Sequence, residues 1–219
     1  SDMEETLKFK TNSIICVCGP TGVGKTFLIR NILRDRMKLF EEPQPNFIMY
    51  CYSIWQDIYS EMKEQFGEHI IFHQGLPEED MLKRMSILKP GLLLLLDDVL
   101  ENIIDQKDIL SLFLEKVHHL NLQLLYVIHN LYCSGKNRRT LSLQTQYFIF
   151  FPTRTDQLSF EIFSARLGRK NSRSFMDIYD DVKANNYKYF VVDSHPRSMS
   201  KIFVWTQIFS GENLIGYEL

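Results

Sequence analysis

Gly19-Pro20-Thr21-Gly22-Val23-Gly24-Lys25-Thr26 sets glycines, a lysine and a hydroxyl at the spacing of a phosphate cradle. The glycines let successive backbone N–H groups turn toward one anion, which rests on the positive end of the helix that follows. Lys25 would neutralise β- and γ-phosphates, and the Thr26 hydroxyl would coordinate Mg2+. A second constellation lies downstream, where the leucines of Leu92–Leu96 run into Asp97 and Asp98. Carboxylates at the C-terminal end of a buried strand lie where α/β sheets bind ligands. Asp97 suits holding Mg2+, directly or through water, and Asp98 suits orienting or deprotonating an attacking water. Either could instead cap the segment that follows. Adjacent acids favour hydrolysis over phosphoryl transfer to an acceptor. Asn130 closes another apolar run, where a polar group could contact the γ-phosphate or the attacking water; a turn-forming asparagine is the alternative.

These groups need strands and helices to place them. Ser13–Cys18 is a short apolar run that ends at the phosphate loop. Behind it Leu28, Ile29, Ile32, Leu33, Met37 and Phe40 recur at helical spacing until Glu41-Glu42-Pro43-Gln44-Pro45. An uninterrupted leucine run reads as a central strand covered on both faces. Further strands are expected at 46–52, 69–72, 123–130 and 147–151, and helices near 55–66, 77–88 and 109–120. A helix starts near Asp156, and another follows the candidate cap Ser174 and ends at Asn185-Asn186. Segments 188–193 and 201–209 close the chain as a strand pair. The alternation predicts an α/β, three-layer P-loop NTPase fold with a mainly parallel sheet and right-handed crossovers. Residues 13–219 read as a single ATPase domain. Residues 1–12 read as a tag-cleavage scar, Ser1-Asp2 before Met3, and an N-terminal extension.

Composition excludes several classes. The chain has 219 residues, 45% of them hydrophobic, enough for a core of this size. No apolar stretch approaches a membrane span and no signal peptide is visible, so an intracellular protein without membrane insertion is expected, in cytoplasm or nucleus. The four cysteines, Cys16, Cys18, Cys51 and Cys133, lack zinc spacing and read as small buried side chains. His118-His119 reads as a helix C-terminus. A net charge of −2 makes the whole domain no magnet for nucleic acid. Basic residues cluster locally, at Lys136, Arg138 and Arg139 and at Arg166, Arg169, Lys170 and Arg173, as solvated surface or as phosphate contacts. Lys136–Thr140 reads as a loop after the Asn130 strand, where an arginine could reach a neighbouring subunit's nucleotide.

Together these segments resemble the poxvirus-type genome-packaging ATPases, found also in Polinton (Maverick) elements and virophages, of the HerA/FtsK superfamily. The resemblance runs from about Ile14 to Phe209. It rests on the phosphate loop, Asp97-Asp98, Asn130-Leu131-Tyr132, Arg139-Thr140-Leu141-Ser142-Leu143 and Phe151–Gln157. The closing segments Tyr189–Asp193 and Trp205–Phe209 match as well. It implies an additional-strand ATPase with the sensor strand between the strands that end in the phosphate loop and in the acidic pair. It also implies ATP and Mg2+ as ligands, a homo-oligomeric ring (pentamer or hexamer), double-stranded DNA as substrate, and a capsid protein or vertex complex as docking partner. Arg139 would be the trans arginine, with Arg138 second. The chain departs from the pattern at His129, where a glutamine is expected, so His129 and Asn130 both stand as sensor candidates. Gln144 replaces an expected asparagine. Two other functions stay open on the residues alone: a nucleotide-dependent assembly or loader protein, and a small-molecule kinase with Arg166–Arg173 as its lid.

Overall fold

The computed structural model describes residues 5–104, 106–130, 136–153 and 157–219. Among these, nine strands form one sheet in the order β3-β2-β4-β5-β1-β6-β7-β8-β9. Strands β1 (Ile14–Cys18), β2 (Ile48–Tyr52), β3 (Ile70–Gln74), β4 (Leu93–Asp97), β5 (Gln123–Ile128) and β6 (Tyr147–Phe150) pair in parallel. β7 (Phe190–Asp193), β8 (Ile202–Thr206) and β9 (Ile215–Glu218) extend the sheet antiparallel. β5 lies between β1 and β4, so the phosphate loop, His129-Asn130 and Asp97-Asp98 all leave adjacent strands at one edge.

Alternation along these strands divides the core into two layers. Ile15, Val17, Leu93, Leu95, Leu125 and Val127 face α1 (Lys25–Arg34), α2 (Arg36–Leu39) and α3 (Asp57–Phe66). Cys16, Cys18, Leu94, Leu96, Tyr126 and Ile128 face the other layer, which holds α4 (Glu79–Leu88), α5 (Lys107–His118), α6 (Lys136–Gln144), α7 (Gln157–Ala165) and α8 (Arg169–Ala184). Every residue of β4 and β5 is buried, which is why both read as continuous apolar runs. Leu7 and Phe9, ahead of β1, are buried as well, and Phe9 bridges to Phe40. No helix among the described residues is long and apolar enough to cross a membrane.

Four local expectations need correction. The first helix breaks at Asp35, whose carboxylate holds Arg34 and accepts the Ser210 N–H at 2.8 Å. The break shifts the helical register, and Met37, expected in the core, is exposed. The segment around Arg138 and Arg139 is helical rather than a loop, since Lys136–Gln144 contains no breaker and Leu141 anchors it in the core. α8 begins at Arg169 rather than after Ser174, because Gly168 takes the left-handed φ of 85° and its carbonyl accepts the first helical bond from Ser172. The C-terminal strand pair gains a third member, β9, a short edge strand whose half-exposed residues carry little apolar signal.

Candidate active site

The phosphate loop joins β1 to α1. Gly22 and Gly24 take φ of +82° and +103°, a region that favours glycine. Gly24 stands at the N-cap of α1 and supplies no side-chain acceptor, so the first N–H groups of the helix are offered to an anion. Gly19 is required by packing instead: a Cβ there would lie 2.8 Å from the Phe151 ring and 2.9 Å from Val23. Its N–H donates to the Ile128 carbonyl at 3.2 Å, which fastens the loop to β5. Lys25, in the first turn of α1, is buried, and its ammonium donates to the Gly19 carbonyl and, at 2.8 Å, to His129 Nδ1. Burial lowers its pKa, opposed by the carboxylates of Asp98, Asp97 and Glu101.

Asp97 ends β4 and is almost fully buried. Its Oδ2 accepts two hydroxyls at 2.7 Å, from Tyr50 on β2 and Tyr59 on α3. Burial and the adjacent carboxylate push both phenols well up, so they remain protonated donors. The second Asp97 oxygen keeps lone pairs for a cation or its water. Asp98 turns away from the strand with φ +60°, a strained value that aspartate tolerates better than most residues. Its Oδ1 is buried without a hydrogen-bond donor. Burial first, and Asp97 second, raise its pKa, which makes it a stronger base than a free aspartate. Neither aspartate caps a helix: the next helical turn, Leu100–Asn102, has no side-chain cap.

His129 joins the two halves. Because Lys25 donates to Nδ1, a neutral imidazole carries its proton on Nε2, which faces Asp98 Oδ1 at 3.4 Å. That separation is an electrostatic approach rather than a hydrogen bond. Glu101 accepts the His129 backbone N–H at 3.1 Å and so fixes the end of β5. Of the two sensor candidates, His129 is the one placed between Lys25 and Asp98. Asn130 follows it at the same sheet edge and has an interaction of its own.

The donor set fits Mg2+. The Thr26 hydroxyl and the Asp97 carboxylate are hard oxygen donors, and a nucleotide site asks the protein for only one or two of these beside the phosphates. Among the described residues no group of three or more histidine, cysteine or acidic side chains forms a metal cage. Bound there, Mg2+ would neutralise phosphate charge. Asp98 Oδ1 lacks a hydrogen-bond donor and so keeps its acceptor capacity.

Sequence reasoning located Gly19–Thr26, Asp97, Asp98 and the His129-Asn130 pair at one edge. Arg139 and Arg138 lie in α6, and their side chains fall outside the described residues, as does Arg154. Tyr50, Tyr59 and Glu101 were missed. Their partners lie 28 to 47 positions away, and no local spacing marks them.

Residues 7–145 match the family model described as AAA domain, more than half of the chain. No curated protein sequence matches it. Among solved structures, the cytoplasmic domain of EssC aligns with a TM-score of 0.45 at 14% identity, over 95% of this chain and 39% of that one. The chain thus spans about two fifths of the length of that structure. The phosphate loop, the acidic strand separated from it by one strand in the sheet and the family match agree: the chain belongs to the AAA domain family and is a P-loop NTPase.

Proposed function

We propose that this protein is an ATP-hydrolysing motor subunit that moves double-stranded DNA into a viral or virus-like capsid. The observation that carries the ATPase half is the Lys25–His129–Asp98 constellation, which joins the phosphate cation to the candidate base at the edge of three adjacent strands. The DNA half is supported by the sequence resemblance, whose later segments run from Arg139 to Phe209. In this reading Lys25 neutralises the β- and γ-phosphates, Thr26 and Asp97 hold Mg2+, and Asp98 takes a proton from the attacking water. His129 and Asn130 sense the γ-phosphate. Subunits assemble in a ring, and Arg139 completes the neighbour's site by stabilising charge on the transferred phosphoryl group. Arg166 and Arg173, both exposed, offer cations to DNA phosphates.

The test is ATP turnover with and without double-stranded DNA. The motor predicts stimulation by duplex DNA of any sequence, declining steeply with salt because the contacts are to phosphates. Turnover indifferent to DNA, or phosphate transfer to an added acceptor, would refute it. For Arg139, Lys25→Ala subunits mixed with Arg139→Ala subunits should hydrolyse ATP faster than either alone, since the first type supplies the arginine and the second the working pocket.

A further inference from the structure

Five aromatic rings gather beside Asp97. Tyr50 and Tyr52 come from β2, Phe72 from β3, Tyr59 from α3, and Trp55 from the loop that joins β2 to α3. Tyr59 is buried and has the other four as neighbours, with ring centroids 5.0 to 5.7 Å away. Trp55 is 43% exposed, the most exposed of the five. Its indole meets Tyr59 at 5.5 Å and 81°, Tyr52 at 5.3 Å and 80°, and Phe72 at 5.3 Å and 66°, the edge-to-face geometry that aromatic pairs prefer. Starting the helix does not account for it. Trp55 precedes the N-cap Gln56, and an apolar side chain there staples a helix by packing on the fourth helical residue. That residue is Ser60, polar and exposed, and Trp55 packs on Tyr59 instead. The loop is fastened at both ends: the Ser53 carbonyl accepts Gln74 Nε2 at 3.3 Å, and the Gln56 carbonyl accepts the Tyr59 N–H at 3.0 Å.

We propose that Trp55 is a positioning residue for the Mg2+ site: it holds the Tyr59 ring, whose hydroxyl holds Asp97. The proposal rests on the reading of Asp97 as a Mg2+ ligand. Asp97 Oδ2 accepts both the Tyr50 and the Tyr59 hydroxyls at 2.7 Å, so two phenols orient the carboxylate. Tyr50 is fully buried on β2, which has a neighbouring strand on each side, and the sheet fixes its ring. Tyr59 stands in the first turn of α3, where the rings around it set the angle at which its hydroxyl arrives. The hydroxyl is the far end of the ring, so a small tilt moves it most, and hydrogen bonds weaken steeply once they leave line. Trp55 closes the outer side of that packing. Coupling of this kind is reciprocal: whatever loads Asp97 also bears on Tyr59, and through it on the partly exposed indole. The chain has two tryptophans, and the other, Trp205, is buried on β8, six strands along the sheet from β2. Trp55 is therefore the indole whose emission reports on Asp97.

The experiment measures, in the full chain, how much Mg2+ tightens binding of a non-hydrolysable β,γ-imido analogue of ATP, by calorimetry with Mg2+ and with chelator. Trp55→Ala should reduce that gain about three- to tenfold, the order of one lost aromatic contact, and leave the Mg2+-free Kd within about twofold. Trp55→Phe restores a ring and should recover most of the gain. Tryptophan emission gives the second readout. Adding Mg2+ to the wild-type complex should shift the emission, and the shift should disappear in Trp55→Phe, where Trp205 alone emits. It should also shrink in Tyr59→Phe, which keeps every ring and removes only the hydroxyl link to Asp97. A wild-type gain in Trp55→Ala overturns the proposal, as does an equal loss of affinity with and without Mg2+, the mark of a packing role only. An emission shift that survives intact in Tyr59→Phe overturns it as well. Should Mg2+ give the wild type no gain, the Mg2+ reading of Asp97 falls and the proposal with it; a normal wild-type gain that Trp55→Ala leaves untouched removes only the part assigned to Trp55.

Discussion

Lys25 donates to His129 Nδ1 at 2.8 Å, so the cation of the phosphate loop is held by the residue that follows β5, the strand between those of the two sequence motifs. Nδ1 is thereby an acceptor, and the imidazole presents its Nε2 proton to Asp98. A glutamine at this position reaches one of these neighbours with an amide oxygen and the other with an amide nitrogen. His129→Gln is therefore expected to keep most of the turnover, within about tenfold, whereas His129→Ala should lower kcat by about 10²-fold. Steady-state ATPase kinetics of the two variants check this, and equal loss in both would remove the bridging role.

The two aspartates should separate cleanly. Asp98→Asn is expected to bind Mg2+-ATP and lose about 10²–10⁴-fold in kcat, because an amide cannot take a proton from water. Asp97→Asn should instead raise the Mg2+ concentration needed for half-maximal turnover. The pKa of Asp98 is raised in the fold, so its ionised form costs stability as pH climbs through the unfolded value toward the folded one. Asp98→Asn removes that cost, and screening keeps the gain small: a rise in Tm of about 1–3 °C at neutral pH and none at pH 3. Thermal melts at the two pH values measure it.

Tyr50 and Tyr59 hold one Asp97 oxygen between them. Removing either hydroxyl keeps the ring stack, in which the two centroids lie 5.0 Å apart, and deletes one charge-assisted hydrogen bond. Tyr50→Phe and Tyr59→Phe should each destabilise the fold by about 1.5–3 kcal/mol and shift the Mg2+ dependence of turnover. Urea melts and Mg2+ titrations of both variants decide the matter; an unchanged Mg2+ dependence would leave the tyrosines a packing role only.

The placement of the buried cysteines makes a chemical prediction. Burial pushes the Cys51 thiol up to about 12, and Cys16 likewise upward. At pH 8 the Cys51 thiolate would be about one part in ten thousand, and access is closed as well. Native protein treated with iodoacetamide at pH 8 should show no label on Cys16, Cys18 or Cys51 by peptide mass spectrometry, and full label on all three after unfolding.

Much of this architecture was legible because buried parallel strands leave an unbroken apolar run, as in Leu92–Leu96, and because glycine spacing is enforced by backbone geometry at Gly22 and Gly24. Helix boundaries were less legible where a tertiary contact decides them. Asp35 breaks the first helix through Ser210, a residue 175 positions away, and Gly168 starts α8 earlier than the cap residue Ser174 suggests. The site was half visible: single motifs announced Lys25, Asp97 and Asp98, while Tyr50, Tyr59 and Glu101 act through partners that only the fold brings near. His129 stood out in the sequence only as a departure from the expected glutamine; its position between Lys25 and Asp98 gives that departure a physical content.

Translocation is the central activity we propose, and displacement of a triplex-forming oligonucleotide from duplex DNA measures it directly. A motor that tracks along the duplex strips the third strand as it passes. With the assembled protein, release should require Mg2+ and hydrolysable ATP, slow with the distance between the loading end and the triplex, and vanish in Lys25→Ala. Persistent triplex in the presence of vigorous, DNA-stimulated ATP hydrolysis would contradict the account, leaving an ATPase that binds DNA without moving along it.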